Sequence, residues 1–168
     1  MTNSQIMKKH LEAKVINQLL EKGFVGKYPH FRKEKDECVE LISFQSNKYG
    51  RAFTVEVSVI FPDKKEKNFD SVCYSNINEI TVFDTNVRYR LKGMYDGWFY
   101  TCDLYSKYIF GLGKSYFEVG ENSTSVPKGY KLVQKFDENT ADSICIEINK
   151  QLCKALKWME KFERTVKK

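Results

Sequence analysis

Apolar and polar residues alternate one for one through FTVEVSVIFP: Phe53, Val55, Val57, Val59 and Phe61 take the odd positions, and Thr54, Glu56 and Ser58 the even ones. Successive side chains of a strand point to opposite faces, so this stretch predicts a strand buried on one face only. Nearer the start the period changes. From about Ser4 to Lys22, Met7, Leu11, Val15, Ile16, Leu19 and Leu20 recur at spacings that a helix gathers on one side. Ser4 is the expected N-cap. Gly23 suits the left-handed residue that closes such a helix, which puts Phe24 where it can touch Leu19.

The run HFRKEKDECVELISFQSNKYGRAFTVEVSVIFP reads as three strands joined by two turns, the second of which, SNKYG, carries the Asn and Gly of a tight reversal. Pro62 and the charged DKKEKN then open a surface loop. ITVFDTNVRYRLKG alternates again, setting Val87, Tyr89 and Leu91 against Arg88, Arg90 and Lys92. KYIFGLGKSYFEVG and GYKLVQKF have the aromatic and β-branched composition of strands, with ENSTSVPKG as a loop between them. The last element has the strongest period: Cys145, Ile148, Leu152, Ala155, Met159, Phe162 and Val166 form an apolar helical seam, capped by Asp137 or Asn139. The pattern as a whole predicts an α+β fold: an N-terminal helix, an antiparallel sheet of about five or six strands, and a long C-terminal helix packed on the sheet.

Composition fits this picture. A chain of 168 residues that is 42% hydrophobic, with 3 Pro, is sized for a single domain over 1–168, and no linker or repeat divides it. No stretch has the length and apolarity of a membrane span, and charged residues interrupt the N-terminal apolar positions, so a cytoplasmic protein without a membrane partner is expected. The five cysteines are odd in number and never spaced C-x-x-C. Neither a metal site nor a disulfide framework is expected, and no cofactor is called for.

LLEKGFVGKYPHFRKEKDECVELISFQSNKYGRAFTVEVSVIFP followed by VRYRLKGMYDGWF resembles the bacterial family catalogued as domain of unknown function 4304. The family pattern has a helix ending in Gly-Phe (Gly23, Phe24), an aromatic-Arg pair (Phe31, Arg32), a Gln after an apolar strand (Gln45) and an FT(V/I) strand ending near Pro (Phe53 to Pro62). An Arg-x-Arg element (Arg88, Arg90), a Gly soon after it (Gly93) and a Trp-containing element (Trp98, Phe99) complete it. The resemblance covers roughly the first two-thirds of the chain, implies an α+β fold and assigns no activity.

Candidate chemistries thin out quickly. FGLGKSYF ends like a phosphate-binding loop, but Tyr108 stands where the opening Gly belongs, and the following YFEVG reads as a strand instead of the helix the motif needs. His10 and His30 have no Ser, Cys or carboxylate at a motif spacing; Asp63, Asp84, Asp96 and Asp103 are isolated and read as turn residues. Cys145 and Cys153 read as small core residues of the last helix. The NST at Asn122 reads as loop. No catalytic constellation can be named, so a non-enzymatic interaction domain is expected.

Two surfaces remain. Arg88, Arg90 and Lys92 share a strand face near an aromatic cluster that includes Tyr95, Trp98, Phe99, Tyr100, Tyr105, Tyr108 and Phe110. Arg88, Arg90, Lys92 and Trp98 are the candidate contacts for a protein partner, and a toxin-neutralising immunity protein would suit such a domain. The net charge of +6 argues against the sort that covers a basic nuclease site. The alternative is nucleic-acid binding by a basic stripe on the last helix, Lys150, Lys154, Lys157, Lys161, Arg164 and Lys168, on the side away from the apolar seam.

Overall fold

The computed structural model describes residues 1–62, 77–120 and 125–166. Asp63, Cys73, Asn122, Lys168 and the DKKEKN run lie outside the described residues.

The N-terminal helix is α1 (Asn3–Leu11), continued through a π-helical stretch (Glu12–Ile16) into α2 (Asn17–Glu21). Thr2, not Ser4, caps it. Thr2 Oγ1 accepts from the Gln5 N–H at 3.2 Å while Gln5 Oε1 accepts from the Thr2 N–H at 2.8 Å, a reciprocal box that Ser4 could not close with Met7 three residues on. The far end closes as expected: the Phe24 N–H donates to the Leu19 carbonyl at 3.1 Å and the Gly23 N–H to the Leu20 carbonyl at 2.9 Å, with Gly23 at φ 86°. Met7, Leu11, Val15, Ile16 and Leu19 are buried, but Leu20, one residue and about 100° further round, is exposed.

Six strands form one antiparallel sheet. β1 (Val25–Lys27), β2 (His30–Glu34), β3 (Val39–Ser46), β4 (Ala52–Ile60) and β5 (Arg88–Arg90) follow one another across it, and β6 (Phe99–Tyr100) pairs with the start of β4. At the SNKYG reversal Asn47 Oδ1 accepts from the Arg51 and Ala52 N–H groups, and Gly50 supplies φ 66°. The alternation read from Ile80 onward follows one 3₁₀ turn, Ile77–Glu79, begins with another, Val82–Asp84, and becomes strand only at Arg88. The later strand-like segments make a sheet of their own: β7 (Asp103–Ile109), β8 (Gly113–Val119) and β9 (Lys131–Gln134), in the order β8-β7-β9.

The C-terminal helix α3 (Glu138–Val166) is capped by Asp137, whose Oδ1 accepts from the Thr140 N–H at 2.8 Å. It packs beside α1 on the face of the six-stranded sheet that carries Phe53, Val55, Val57, Val59 and Phe61. Cys145, Ile148, Leu152, Ala155, Met159 and Val166 are buried in that core, while Phe162 is half-buried against Phe61 and Trp158.

Candidate functional site

Strand β4 departs from its sequence reading. Its even residues are covered too: Thr54 and Ser58 are fully buried and Glu56 is 7% exposed. What covers them is β5. In register, Arg90 lies opposite Glu56 and Arg88 opposite Ser58, so both guanidinium groups project over the sheet face away from the helices. Arg88 Nη1 donates to Glu56 Oε2 at 3.3 Å, Arg90 Nε donates to Thr54 Oγ1 at 3.0 Å, and Arg90 Nε is 3.9 Å from Glu56 Oε1. A carboxylate taken out of water needs such partners, and two cations above one acid leave net positive charge at the surface.

The GMYDGWF segment delivers Trp98 to the same place. Asp96 (φ 40°) and Gly97 (φ 91°) are both left-handed, the conformation of a two-residue hairpin turn, and the Trp98 N–H donates to the Tyr95 carbonyl at 2.9 Å. Gly93 lies against the returning strand: a Cβ there would stand 1.9 Å from the Trp98 carbonyl oxygen. The turn sets the Trp98 ring 4.8 Å from the Arg90 guanidinium carbon. The stack restrains the guanidinium and adds a cation–π attraction. Arg88 and Arg90 keep 38% and 43% of their side-chain surface exposed.

This polar strip lies between two small apolar clusters on one face. Val39, Leu41, Ile60, Ile80 and Val82 close one end; Ala52, Tyr100, Cys102 and Leu104, with Tyr95, Trp98 and Tyr116, close the other. Across β3 and β2 the strip continues through Ser43, whose hydroxyl is 2.9 Å from His30 Nδ1, to a recess of about 360 Å³ lined in part by Lys27, His30, Arg32, Ser43 and Thr81.

Lys92 does not join the strip. It follows the end of β5 and is clamped to α3, its N–H donating to Gln151 Oε1 at 2.7 Å and its carbonyl accepting from Gln151 Nε2 at 2.6 Å. There it lines a groove with Met94, Glu147 and Lys154. The structure therefore separates Lys92 from Arg88, Arg90 and Trp98 and brings it towards the helix stripe. Lys150, Lys154, Lys157, Lys161 and Arg164 are all exposed on α3, with Lys150 3.6 Å from Glu147. Glu163, on the same helix, faces inward and is buried. The aromatic cluster divides: Phe99 and Tyr100 are buried, whereas Tyr108 and Phe110 are exposed at a hairpin far along the second sheet.

Other candidates take structural places. Gly113, Lys114 and Ser115 begin β8, so the phosphate-loop likeness has a strand where a helix start is required. His10 sits between α1 and α3, its Nε2 3.1 Å from Glu138 and its Nδ1 against Asp142, which also receives Lys14 at 2.7 Å. Burial pushes the Cys38, Cys102 and Cys145 thiols up to about 12, with the carboxylates of Glu163, Glu118 and Asp142 adding to the effect, so these sulfurs stay protonated and unreactive. Cys153 is exposed and so is not a core residue. Among the described residues no three His, Cys, Asp or Glu side chains gather as a metal site, and no helix is long and apolar enough to cross a membrane.

Residues 15–161 match the family described as domain of unknown function DUF4304. The chain belongs to that family. No curated protein and no solved structure matches it significantly. The DUF4304 match spans the whole polar strip, the Gly93–Trp98 turn and most of α3, and it brings no catalytic assignment.

Both arginines and Trp98 are legible as site candidates in the sequence, whereas Glu56 and Thr54 beneath them are not. The available signal was a lone acid among the polar positions of a strand whose other polar residues are the small hydroxyls Thr54 and Ser58, with an Arg-x-Arg strand able to pair beside it.

Proposed function

We propose that this DUF4304 domain is a non-enzymatic interaction module that binds a protein partner through the open face of its six-stranded sheet. The observation that carries the reading is the Arg90–Trp98 stack at 4.8 Å over the buried Glu56. Arg and Trp are the side chains that dominate binding energy at protein interfaces, and these are already restrained, so little conformational freedom is lost on association. The recess beside His30 and Ser43 offers a place for an inserted partner side chain. The net charge of +6 favours an acidic docking patch on the partner, and neutralisation of a toxin in the manner of an immunity protein is one role of this kind. The proposed setting is the cytoplasm, with the chain acting as one domain and without cofactor.

A second reading rests on the five exposed cations of α3. Nucleic-acid binding there would fall with salt by about 0.9 logarithmic units per phosphate contacted. The variant Lys154→Glu, Lys157→Glu, Lys161→Glu separates the two. Under the sheet-face reading it keeps its fold and its partner; loss of tight nucleic-acid binding at about 150 mM salt together with loss of biological activity in this variant would replace that reading with the helix one.

A further inference from the structure

The hairpin joining β7 to β8 ends in bare apolar side chains. Phe110 is 96% exposed, Leu112 83% and Tyr108 70%. The turn is built to hold them outward: the Leu112 N–H donates to the Ile109 carbonyl at 3.0 Å, and Gly111 and Gly113 take the left-handed angles 79° and 84° that reverse the chain within three residues. Phe110 and Leu112 contribute nothing to any of the three buried clusters, so their exposure has no folding benefit to offset it.

Among the described residues of this hairpin and the strand beside it, the charge near the tip has one sign. Residues 104–117 and 125–132, which make up the distal hairpin and the adjoining strand with its lead-in, contain Lys107, Lys114, Lys128 and Lys131 and no Asp or Glu. Lys114 pairs across the hairpin with Tyr108, and the Lys107 chain runs beside Gly129. The acids of this hairpin, Asp103 and Glu118, sit at its base. Two residues on one strand, from Leu112 to Lys114, and three on the other, from Phe110 to Lys107, therefore separate an apolar point from its lysines by about 7–10 Å.

We propose that this tip inserts into the surface of an anionic phospholipid bilayer. Such a surface presents negative headgroups above an apolar layer, the same order of chemistry over about 5–10 Å that the hairpin presents in reverse. The tip is a convex point and not a groove, so it suits a deformable surface. The sequence expectation of no membrane partner rested on the lack of a spanning segment, and surface insertion needs none. This inference is independent of the sheet-face reading, since it uses none of the same residues.

The test is co-sedimentation with phosphatidylserine-rich vesicles and with pure phosphatidylcholine vesicles, together with emission from Phe110→Trp. Expected are binding to the anionic vesicles alone, a blue shift in that emission on binding, and at least about a hundredfold loss of partition in Phe110→Ser with Leu112→Ser, the lower range for removing two buried apolar side chains. Lys107→Gln with Lys114→Gln should weaken binding by about fivefold per lysine. All four positions are outside the cores, and an unchanged thermal transition verifies folding. Failure to bind, binding unchanged by the tip serines, or binding without a blue shift overturns the proposal; the last two identify attraction by surface charge alone.

Discussion

Glu56 is the residue on which the open face depends. It is 7% exposed, and its charge is balanced by Arg88 and Arg90, which are themselves nearly half in water. Removing both arginines would leave a buried carboxylate without cations, so Arg88→Ala with Arg90→Ala should cost about 1–3 kcal/mol of stability, less than for a fully buried pair because the arginines are solvated. Adding Glu56→Gln should recover part of that loss, as chemical denaturation of the two variants would show; equal stabilities would mean the pairing is immaterial. Gly93 is constrained differently. With a Cβ 1.9 Å from the Trp98 carbonyl, Gly93→Ala must push the hairpin away, costing about 1–3 kcal/mol and displacing Trp98 from Arg90. Its near-ultraviolet circular dichroism should change while its far-ultraviolet spectrum does not.

At the scale of elements, α3 was the most legible part of the chain because its period repeats over 29 residues. Leu152 and Met159, 4% and 0% exposed, sit where the seam puts them, and truncation of either to Ala should cost about 2–5 kcal/mol in equilibrium unfolding. A loss below about half a kcal/mol in both would refute the docking. What the pattern could not show is where an inward position is polar. Glu163 replaces Phe162 as the buried residue of its turn because Lys35 reaches it at 2.8 Å and reaches Glu40 at 2.6 Å, a contact between residues 128 apart in sequence. The same limit hid β4's second covered face, since polar residues in alternation look solvated until their cross-strand partners are known. The second sheet was legible as strands and not as a separate sheet, because strand composition carries no information about which edge a strand joins.

At the scale of the whole molecule, Lys35 ties Glu40 of the sheet to Glu163 of α3, and the titration of this joint can be read as stability. Burial raises the Glu40 carboxyl above its ordinary value of 4.5, with nearby Glu163 adding to the effect and the Lys35 ammonium opposing it. Burial alone would lower Lys35, but its bonds to Glu163 and Glu40 raise it above 10.5. A raised carboxyl means that the folded state holds more protons than the unfolded one, so stability from Glu40 is greatest below about 4.5 and declines as pH rises through the folded value. The Lys35 contribution is intact below 10.5 and is lost above it. Unfolding measured from pH 4 to 8, a range spanning the carboxylate region, should show Glu40→Gln gaining on the wild type as pH rises; parallel curves would contradict the assignment.

In the proposed function the sheet face, and not α3, meets the partner. Hydrogen exchange on the protein alone and on the complex co-purified from its native cells tests it most directly, because partner contact slows exchange of the amides it covers. Expected are slowed exchange in β5 and across the Gly93–Phe99 turn in wild type, with the complex lost in Arg88→Ala, Arg90→Ala, Glu56→Gln and kept in Lys154→Glu, Lys157→Glu, Lys161→Glu. Protection confined to residues 150–164 of α3, with the first variant still bound, would contradict it.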